Sequence, residues 1–575
     1  MPHDAHPDPA LLELAGAVSG PKMIAHLEQF ARWVKLSGTA DELQSLLYVR
    51  ATLDGYGYRT RLIEHDAYIS LPGKARVVVD GREVTAITHS HAKASLAGSA
   101  HGRLVDVGEG TAADFAGKDV KGAIVLAQGI ANPATARLAS RAGAIGQLHI
   151  SPHEHIHEMC ISPVWGSPTA ATIADMPTTV ACSIAHDDGM ALKARLAKGE
   201  APAVVLHAEV DTSWRKTPIL VADMDAPGAG PEDPFVLFSG HHDTWYFGVM
   251  DNGSANATML ESARLLATQR HEWARGLRLC FWSGHSHGRY SGSVWYVDEH
   301  WDELDRRCVA HVNVDSTGGV GASVLENAAA VSELTTLAAE AIRERTGHQY
   351  LGKRKSRSSD DSLPGVGVPS MFGALSEQAP GTVKMRNSLG WWWHTPHDTI
   401  DKLDEANLVR DTQVFVHTLW RLLADAIVPL DYAAHARALI GELDRIAATL
   451  DGGFSLDPLF AGALGLRDRA EALAGRAEAG GAEAGGPAET ARINAALMKV
   501  SRALVPVDYS RGDRFDHDPA LPQTAWPTLD PIRGLAKLAS GSDAAHFQRV
   551  AATRARNRVA FALREANAAL DAALA

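Results

Sequence analysis

The stretch FVLFSGHHDTWYFGVMDNGSANATMLESARLL, residues 235–266, contains the features that decide the fold. It opens with the apolar run FVLF, which predicts a buried strand, and it leads into a helical pattern at Ala255–Ala267. Between them lie His241, Asp243 and Asp251. Imidazole and carboxylate are the ligand types that a divalent cation takes in proteins. The stretch therefore predicts a strand, a polar cluster suited to a metal, and a helix, in that order.

Strand-like and helical patterns alternate on both sides of this stretch. Apolar runs at Ile219–Val221, Leu277–Trp282 and Val309–Val314 predict further strands, and Val331–Arg345 predicts another helix. Strands that alternate with helices imply a largely parallel sheet with helices on both faces. The sequence is therefore predicted to form an α/β fold with a mostly parallel mixed sheet sandwiched by helices. In such sheets, functional groups collect beyond the carboxyl ends of the strands.

The segments outside this core have a different composition. Between about residues 92 and 209, short apolar strands are separated by glycine, which predicts a β-rich insert. After Tyr432 the chain becomes rich in alanine and leucine, and it closes with a helical pattern at Ala544–Ala575. The Gly/Ala stretch Ala474–Glu489 is interpreted as a mobile linker or loop. A chain of 575 residues exceeds one core, so we predict four segments: 1–91 as the N-terminal part of a catalytic domain, 92–213 as the insert, 214–435 as the catalytic core, and 436–575 as a helical domain.

Composition and charge narrow the classes of partner and location. The formal net charge is -13, from 68 acidic and 55 basic residues, and no basic patch stands out. This balance argues against nucleic acid or an anionic membrane as a partner. The first residues lack the pattern of a signal peptide, and no run of about 18 apolar residues occurs. Four widely spaced cysteines without a CxxC pair are typical of a reducing compartment, so we expect a cytoplasmic protein.

Three more polar clusters follow predicted strands, in addition to the one in residues 235–266. GHSHGRY contains His285 and His287, VNVDSTG contains Asp315, and WWWHTPHDT contains His394. Taken singly, a strand-end aspartate is more often a helix cap or turn former than a ligand. Four such clusters in succession predict a shared metal centre. One carboxylate has two oxygens, so it can bridge two metals about 3.5–4 Å apart.

The order and spacing of these clusters resemble the M28 family of zinc-dependent exopeptidases, especially the branch of glutamate carboxypeptidase II and the transferrin receptor. The matching motifs are HHD (His241, Asp243), DN (Asp251), VNVDSTG (Asp315) and HTPHDT (His394, Asp398). Further landmarks are similar to the same branch: SGTADE (Ser37–Glu42), SSDDSLPGVGVPS (Ser358–Ser370) and Ile493–Pro522, which is similar to its helical dimerisation domain. The β-rich insert is placed like a protease-associated domain.

The resemblance implies a set of roles for these residues. Asp251 would bridge two metals, His241 and Asp315 would complete one site, and His394 would belong to the other. Asp243 would be the carboxylate that orients His241, because metal-bound imidazoles usually donate their other N–H to such a group. The implied cofactor is Zn²⁺, one or two per chain, although other transition metals are compatible. The helical region implies a homodimer.

The sequence departs from the family at its Glu-Glu pair, in which the first Glu is the general base and the second a metal ligand. Here the matching stretch is GHSHGRYSGS, which has no carboxylate. Counting back from Gly292 places Ser286 and His287 on the two positions, whereas counting forward from Trp282 places His285 and Ser286 there. Either histidine could ligate the metal, with the other as general base.

Several residues are candidates for contact with substrate. Arg289 and Tyr290 could bind a carboxylate or a developing oxyanion, or could be ordinary surface groups. Asp360 and Asp361 could receive a substrate amine or simply form a turn. Tryptophans could wall an apolar pocket or serve only in packing: Trp245, Trp391, Trp392 and Trp393.

These observations predict a cytoplasmic, homodimeric, metal-dependent hydrolase that cleaves an amide bond in a small peptide-like or N-acyl amino-acid substrate through metal-bound water. Two alternatives remain open. One is a single-metal non-peptidase enzyme, either a cyclase or a hydrolase of amides, esters or lactones. The other is a catalytically silent dimeric binding protein, as the transferrin receptor is within the same branch.

Overall fold

The computed structural model of the chain describes residues 8–95, 98–380, 388–450, 453–476 and 486–575. In chain order, strands β1 to β17 are Arg59–Val79, Arg82–Val84, Ala86–Thr88, Ala100–Gly102, Leu104–Asp106, Ile124–Gln128, Gly146–Ile150, Val180–Ile184, Val204–Met224, Phe235–His241, Gly276–Trp282, Cys308–Asp315, Ala322–Val324, Ala329–Ala330, Lys353–Arg354, Ser370–Ala374 and Glu377–Gln378. Helices α1 to α17 are Pro9–Gly16, Gly20–Phe30, Ala40–Gly55, Ala112–Phe115, Pro133–Arg141, His186–Ala197, Ala255–Thr268, His285–Gly288, Ser291–Glu299, Trp301–Arg307, Thr335–Thr346, Glu405–Ala424, Tyr432–Ala447, Asp457–Arg476, Gly486–Tyr509, Asp530–Arg533 and Asp543–Leu574.

A ten-stranded mixed sheet forms the centre of the molecule. Nine of its strands follow the order β15-β14-β16-β12-β10-β11-β9-β1-β2, and β4 pairs with β9. Strands β16, β12, β10 and β11 are parallel to one another, whereas β9, β1 and β2 continue the sheet in antiparallel pairs. The α/β prediction is confirmed, with the parallel pairing concentrated in the middle of the sheet. The carboxyl ends of β10 and β12 meet at one edge, and His241 and Asp315 lie at those ends.

Apolar side chains on both faces of the parallel strands bury them against helices. The strands β10, β11 and β12 are buried along almost their whole length, as expected for strands covered on both sides. Helices α7 and α12 cover one face, where Phe238 and Phe415 lie with ring centroids 5.8 Å apart. The core therefore fixes the strand ends that present the polar clusters.

A second sheet lies beside the first and contains five strands in the order β3-β8-β7-β6-β5. Its strands are parallel except for the β3–β8 pair. Short helices α4 and α5 lie between successive strands, and α6 follows β8. This sheet corresponds to the predicted β-rich insert, although it begins at Ala86 and the run beginning at Val204 belongs to the main sheet. The 21-residue strands β1 and β9 pair along almost their full length. The carboxyl-terminal end of β1 pairs with β2, and the amino-terminal end of β9 pairs with β4.

The C-terminal region is helical, as predicted, and its long closing helix spans Asp543–Leu574. Apolar residues of this region, such as Leu439, Leu459 and Leu563, belong to the same buried cluster as the main sheet. The predicted linker Ala474–Glu489 falls mostly outside the described residues. None of the described helices combines the length and apolar composition needed to cross a membrane.

Helix α7 begins directly after the turn that carries Asp251, and most of its residues are buried. Its packing should therefore contribute strongly to stability. Leu260 is fully buried in the main core, and Leu260→Ala is expected to lower the free energy of unfolding by about 2–5 kcal/mol, because it leaves a cavity. Leu351, which is 66% exposed, provides the matched control, and Leu351→Ala should change stability by less than about 0.5 kcal/mol. Guanidinium unfolding followed by circular dichroism measures both. Equal effects of the two variants would contradict this packing role.

Candidate metal centre

The carboxylate of Asp251 lies between two imidazoles. Its Oδ1 is 3.1 Å from Nε2 of His241, and its Oδ2 is 2.9 Å from Nε2 of His394. The carboxylate of Asp315 adds an oxygen 3.7 Å from the same nitrogen of His241. Asp251, His241 and His394 are buried. The structure thus brings together four side chains from three distant sequence clusters.

Backbone carbonyls set the orientation of both imidazoles. Nδ1 of His241 donates to the carbonyl of Asp243 at 2.8 Å, and Nδ1 of His394 donates to the carbonyl of Glu158 at 2.7 Å. With the proton on Nδ1, each ring presents Nε2 and its lone pair to Asp251. This is the arrangement that metal-binding histidines usually have, because the other ring nitrogen is anchored by a hydrogen bond.

Asp398 holds the turn that carries Asp251. Its carboxylate accepts the backbone N–H groups of Met250 at 2.8 Å and Asp251 at 3.0 Å. Burial raises the pKa of Asp398 to about 7, against the lowering effect of these two hydrogen bonds. The HTPHDT motif therefore supplies two functions: His394 faces the centre, and Asp398 supports it from behind.

Burial and the neighbouring side chains shift the pKa values of the centre in opposite directions. Burial alone would raise the pKa of Asp251, but the contacts with His241 and His394 outweigh this effect and lower it. Burial would lower the pKa of His241, whereas Asp251 and Asp315 raise it well above its usual value. Burial dominates at His394 and lowers its pKa, despite the contact with Asp251. These opposing shifts indicate that a positive charge between the carboxylates of Asp251 and Asp315 would stabilise the centre.

The unpaired atoms of the centre fit a cation. Oδ1 of Asp251 and Nε2 of His241 are both buried, and neither forms a hydrogen bond of acceptable geometry within the described parts of the chain. Buried polar atoms without partners are rare and call for a ligand or ion. An imidazole nitrogen and carboxylate oxygens suit zinc and similar divalent metals. The residues present therefore fit the metal that the resemblance implies.

His285 lies next to the centre but is oriented differently from a ligand. One donor atom each from His241, His285 and Asp315 lies within 4.8 Å of the others. However, the His285 ring stacks on His241, with centroids 3.6 Å apart and planes 11° from parallel. A metal lies in the plane of each imidazole that binds it, so two closely stacked parallel rings cannot share one ion. His285 therefore lies beside His241 but is not oriented to share a metal with it.

The predicted role of Asp243 requires correction. Its carboxylate is 3.9 Å from Nδ1 of His241, and its backbone carbonyl orients that ring instead. The carboxylate accepts hydrogen bonds from Ser37 Oγ at 2.7 Å and from the backbone N–H groups of Ser286 at 2.8 Å and His285 at 3.2 Å. Asp243 therefore organises the loop that carries His285, and the SGT turn beginning at Ser37 takes part in the same network.

The prediction of His287 as a ligand or base also requires correction. His287 is fully buried, with Nδ1 2.9 Å from Ser37 Oγ and its ring against Trp245 at a centroid distance of 4.4 Å. It lies outside the group of converging donors and does not line the cavity beside the centre, whereas His285 and Ser286 do. The forward alignment, which places His285 and Ser286 on the Glu-Glu positions, is the one that the geometry favours.

A cavity of about 620 Å³ opens beside the centre. Four of the eight candidate substrate residues line it: Trp245, Arg289, Tyr290 and Trp393. Asp360 does not, because it is buried behind His285 and its Oδ2 lies 2.6 Å from Nδ1 of that ring. The prediction that Asp360 receives a substrate amine is therefore wrong. Trp391 is partly exposed beside His155, and Trp392 packs against Met250.

Sequence reasoning missed two residues of the cavity wall. The guanidinium of Arg357 lies 3.9 Å from the ring centroid of Trp165, which in turn lies 4.4 Å from the ring of Tyr290. On the other side of this aromatic pair, the guanidinium of Arg289 lies 5.0 Å from the Tyr290 ring. The only available signal for Arg357 was its position immediately before the SSDDS loop. Trp165 lies in the insert, and nothing in its local pattern indicated proximity to the centre.

Comparison with known proteins gives a match to part of the chain. Residues 220–419 match the sequence model of Peptidase family M28. This segment holds the parallel strands and all four residues of the centre: His241, Asp251, Asp315 and His394. The match and the fold support a metal-dependent hydrolase of the M28 peptidase type, in agreement with the predicted resemblance.

Individual proteins are similar to this chain in sequence or in fold. The chain is 21% identical over 531 residues to probable glutamate carboxypeptidase AMP1 of Arabidopsis thaliana, with 77% of this chain and 73% of that protein covered. It is 26% identical over 261 residues to probable glutamate carboxypeptidase VP8 of Zea mays, with 40% of this chain and 34% of that protein covered. A similar fold occurs in an aminopeptidase from Aneurinibacillus sp. strain AM-1, with a TM-score of 0.55 and 21% identity over 72% of this chain and 96% of that one. The M28 peptidase precursor of Shewanella amazonensis SB2B has a TM-score of 0.58, with 16% identity over 73% of this chain and 97% of that one.

Removing the central carboxylate charge should abolish tight metal binding. Asp251→Asn keeps the shape of the side chain but removes the charge between the imidazoles, and it is expected to weaken metal affinity by at least about 100-fold. Elemental analysis after gentle desalting measures the metal content. His394→Ala should weaken binding to a smaller extent if it contributes only from the edge of the centre.

His397 provides the matched control for His394. It is exposed three residues further along the same loop, and its ring contacts His155 and Trp391 instead of the centre. His397→Ala should retain the metal content of the wild type. Unchanged metal content in Asp251→Asn would show that the ion binds elsewhere.

Proposed function

We propose that the protein is a divalent-metal-dependent hydrolase that cleaves an amide bond in a small peptide-like or N-acyl amino-acid substrate. The observation that carries this proposal is the convergence of two anchored imidazoles on the two oxygens of Asp251, beside a cavity large enough for a small substrate. The M28 match of residues 220–419 supports the same chemistry.

His241, Asp251 and Asp315 would hold the metal, and we propose zinc. Three protein ligands with one position left for a water or substrate are typical of catalytic zinc sites. When bound, such an ion lowers the pKa of water and polarises a carbonyl group. Zinc is supported by the neighbouring structure described as a zinc aminopeptidase from Bacillus subtilis, which has a TM-score of 0.55.

A single tightly held ion per chain fits the distribution of donors. On the His394 side, Asp251 Oδ2 and His394 Nε2 are the donors, and the described residues place no third carboxylate or imidazole in a group with them. Ser286, at the position where the family has its second Glu, offers only a hydroxyl, which is buried and without a hydrogen-bond partner in the described chain. Two donors hold an ion far less tightly than three.

His285 would move the proton in this reaction. Its Nδ1 donates to Asp360, so Nε2 is the nitrogen available at the cavity wall. In the proposed step, the oxygen of water adds to the amide carbon while His285 takes the proton from that water. His285 then gives this proton to the leaving nitrogen as the carbon–nitrogen bond breaks, which yields a carboxylic acid and an amine. His285 ends in its starting state.

The cavity wall suits a substrate with a carboxylate and an apolar part. Arg289 and Arg357 flank the aromatic pair of Trp165 and Tyr290, and Arg357 has the uncharged carbonyl of Asp518 as its hydrogen-bond partner. Guanidinium groups bind carboxylates well. Trp245 and Trp393 also line the cavity. This combination of positive charge and apolar surface suits an N-acyl amino acid or a short peptide.

Chelation and a His285 variant test the proposed chemistry. Removal of metal with EDTA should abolish hydrolysis of a panel of N-acyl amino acids and dipeptides, and zinc should restore it. His285→Ala should lower kcat by about 10²–10⁴-fold, because the proton-transfer group is lost, while the metal content stays unchanged. His271, which is 70% exposed in its side chain and far from the centre in the fold, provides the control variant His271→Ala.

Three results would contradict the proposal in distinct ways. Activity that survives complete metal removal would eliminate the metal mechanism. Activity confined to esters or lactones would favour the single-metal non-peptidase alternative. A metal-loaded protein that hydrolyses no member of a broad amide and ester panel would favour the silent binding protein.

We also propose a homodimer formed through the C-terminal helix Asp543–Leu574. Phe547, Val550 and Phe561 are 77%, 53% and 56% exposed on this helix. Their spacings of 3 and 14 residues place them within about 60° of one another around the helix axis, at 100° per residue. These three side chains form an apolar stripe that Arg554 interrupts between Val550 and Phe561. Exposed apolar side chains that share one helix face are typical of an interface. Four free, buried cysteines support the proposed reducing, cytoplasmic setting: Cys160, Cys182, Cys280 and Cys308.

A charged side chain in this stripe should separate the subunits. Phe547→Asp is expected to give a monomer at micromolar concentration, because a buried carboxylate without a partner costs several kcal/mol at an interface. Analytical ultracentrifugation distinguishes the two states. Leu351→Asp, at an exposed apolar residue elsewhere, should leave the dimer intact. A monomeric wild-type protein would refute the proposed interface.

A further inference from the structure

We infer that Asp360 is a positioning residue for His285, and that the Ser359–Asp360 turn holds the proton-transfer group and a metal ligand together. This inference rests on the proposed function for its kinetic consequences, and its structural part can be tested separately. It assigns Asp360 a role that its sequence context did not predict.

Both oxygens of Asp360 are committed to neighbouring side chains. Oδ2 accepts from Nδ1 of His285 at 2.6 Å, and Oδ1 accepts from Ser293 Oγ at 3.0 Å. The hydroxyl of Ser293 lies 2.9 Å from that of Ser362, which accepts from Trp165 Nε1 at 2.9 Å. The carboxylate is only 1% exposed. It is therefore fixed from behind and presents one oxygen to the imidazole.

The backbone of the turn explains how the two side chains reach different targets. Ser359 and Asp360 both have positive φ, 46° and 52°, a region that non-glycine residues rarely adopt. Ser359 Oγ donates to Asp315 Oδ2 at 2.5 Å, while its carbonyl accepts from Asn313 Nδ2 at 2.6 Å. Consecutive left-handed residues thus direct one side chain to a predicted ligand and the next to His285. Backbone strain of this kind concentrates at functional sites.

The hydrogen bond to Asp360 determines the tautomer of His285. A carboxylate can only accept, so the proton of the neutral ring must lie on Nδ1. Nε2 is then unprotonated and available to take a proton at the cavity wall. Stacking on His241 and the contact with Tyr290, at a centroid distance of 4.8 Å, hold the ring plane in place. Without Asp360, the imidazole could rotate or bind its proton on the wrong nitrogen.

Kinetics of two isosteric variants test this role. Asp360→Asn should lower kcat by about 10²–10⁴-fold, as expected for loss of an oriented proton-transfer group, while KM and metal content remain close to those of the wild type. The matched control is Asp361→Asn. Asp361 is the adjacent aspartate, equally buried at 1% exposure, and it does not line the cavity. Its electrostatic partners are Lys355 and Arg357 instead of His285, so the control is read on kcat, and an effect transmitted through Arg357 would fall on KM. Asp360→Glu should recover part of the lost kcat, because it restores an accepting carboxylate.

Proton NMR gives a readout that does not depend on activity. A short hydrogen bond from an imidazole to a carboxylate shifts the N–H proton strongly downfield. This resonance should be present in the wild type and in Asp361→Asn, and it should be absent in His285→Gln, which assigns it. It should also be lost or moved in Asp360→Asn.

The outcomes separate this inference from the proposed function. Loss of the resonance together with loss of kcat in Asp360→Asn, but not in Asp361→Asn, supports the positioning role. A resonance that remains in Asp360→Asn, or equal kcat values for the two variants, overturns it. If the wild type hydrolyses nothing but the resonance depends on Asp360, the contact is supported and the proposed function fails.

Discussion

A negative charge buried between two imidazoles is the constraint on which the rest of the centre depends. A carboxylate removed from water is costly unless an opposite charge or several hydrogen bonds compensate for it. The oxygens of Asp251 face Nε2 of His241 and Nε2 of His394, and with the ring protons on Nδ1 these nitrogens offer lone pairs. Oδ1 of Asp251 and Nε2 of His241 are left without hydrogen bonds in the described chain, which points to a cation as the compensating charge. The surrounding structure can be understood as the means by which these atoms are kept in place.

That support comes from both sheets. His241 and Asp315 lie at the ends of neighbouring parallel strands, so the main sheet alone sets their separation. His394 lies on a loop, and the carbonyl that orients it belongs to Glu158 in the insert. The backbone N–H of Glu158 also donates to the carbonyl of His394 at 3.0 Å. The imidazole of His394 is therefore oriented by the insert, so the insert contributes to the geometry of the centre.

The sequence predicted the parts of this arrangement that follow from periodicity. Alternating strands and helices gave the sheet, and polar residues at strand ends gave His241, Asp251 and Asp315. The sequence could not predict which histidine faces the cavity, because a shift of one residue in the alignment changes the answer. His285 and His287 lie two positions apart in a four-residue helix, so their side chains point in opposite directions, one toward the cavity and one toward Ser37. The contacts predicted for Asp243 and Asp360 were wrong for a related reason. Asp243 orients His241 through its backbone carbonyl, and Asp360 reaches His285 from a left-handed backbone. Neither feature can be predicted from residue type.

Charge balance supports the proposal that the centre holds a single ion. Asp251 and Asp315 together carry two negative charges, which balance one divalent cation. A second ion would leave two uncompensated positive charges in a buried site, and the desolvation cost of such an excess is several kcal/mol. The carboxylate of Asp360 does not relieve it, because His285 lies between that carboxylate and the centre. In the proposed mechanism, the segment GHSHGRY supplies no carboxylate to the His394 side, and it places the imidazole of His285, supported by Asp360, where a proton would move. The proposed single ion and the proposed His–Asp pair would then both follow from the composition of this one segment.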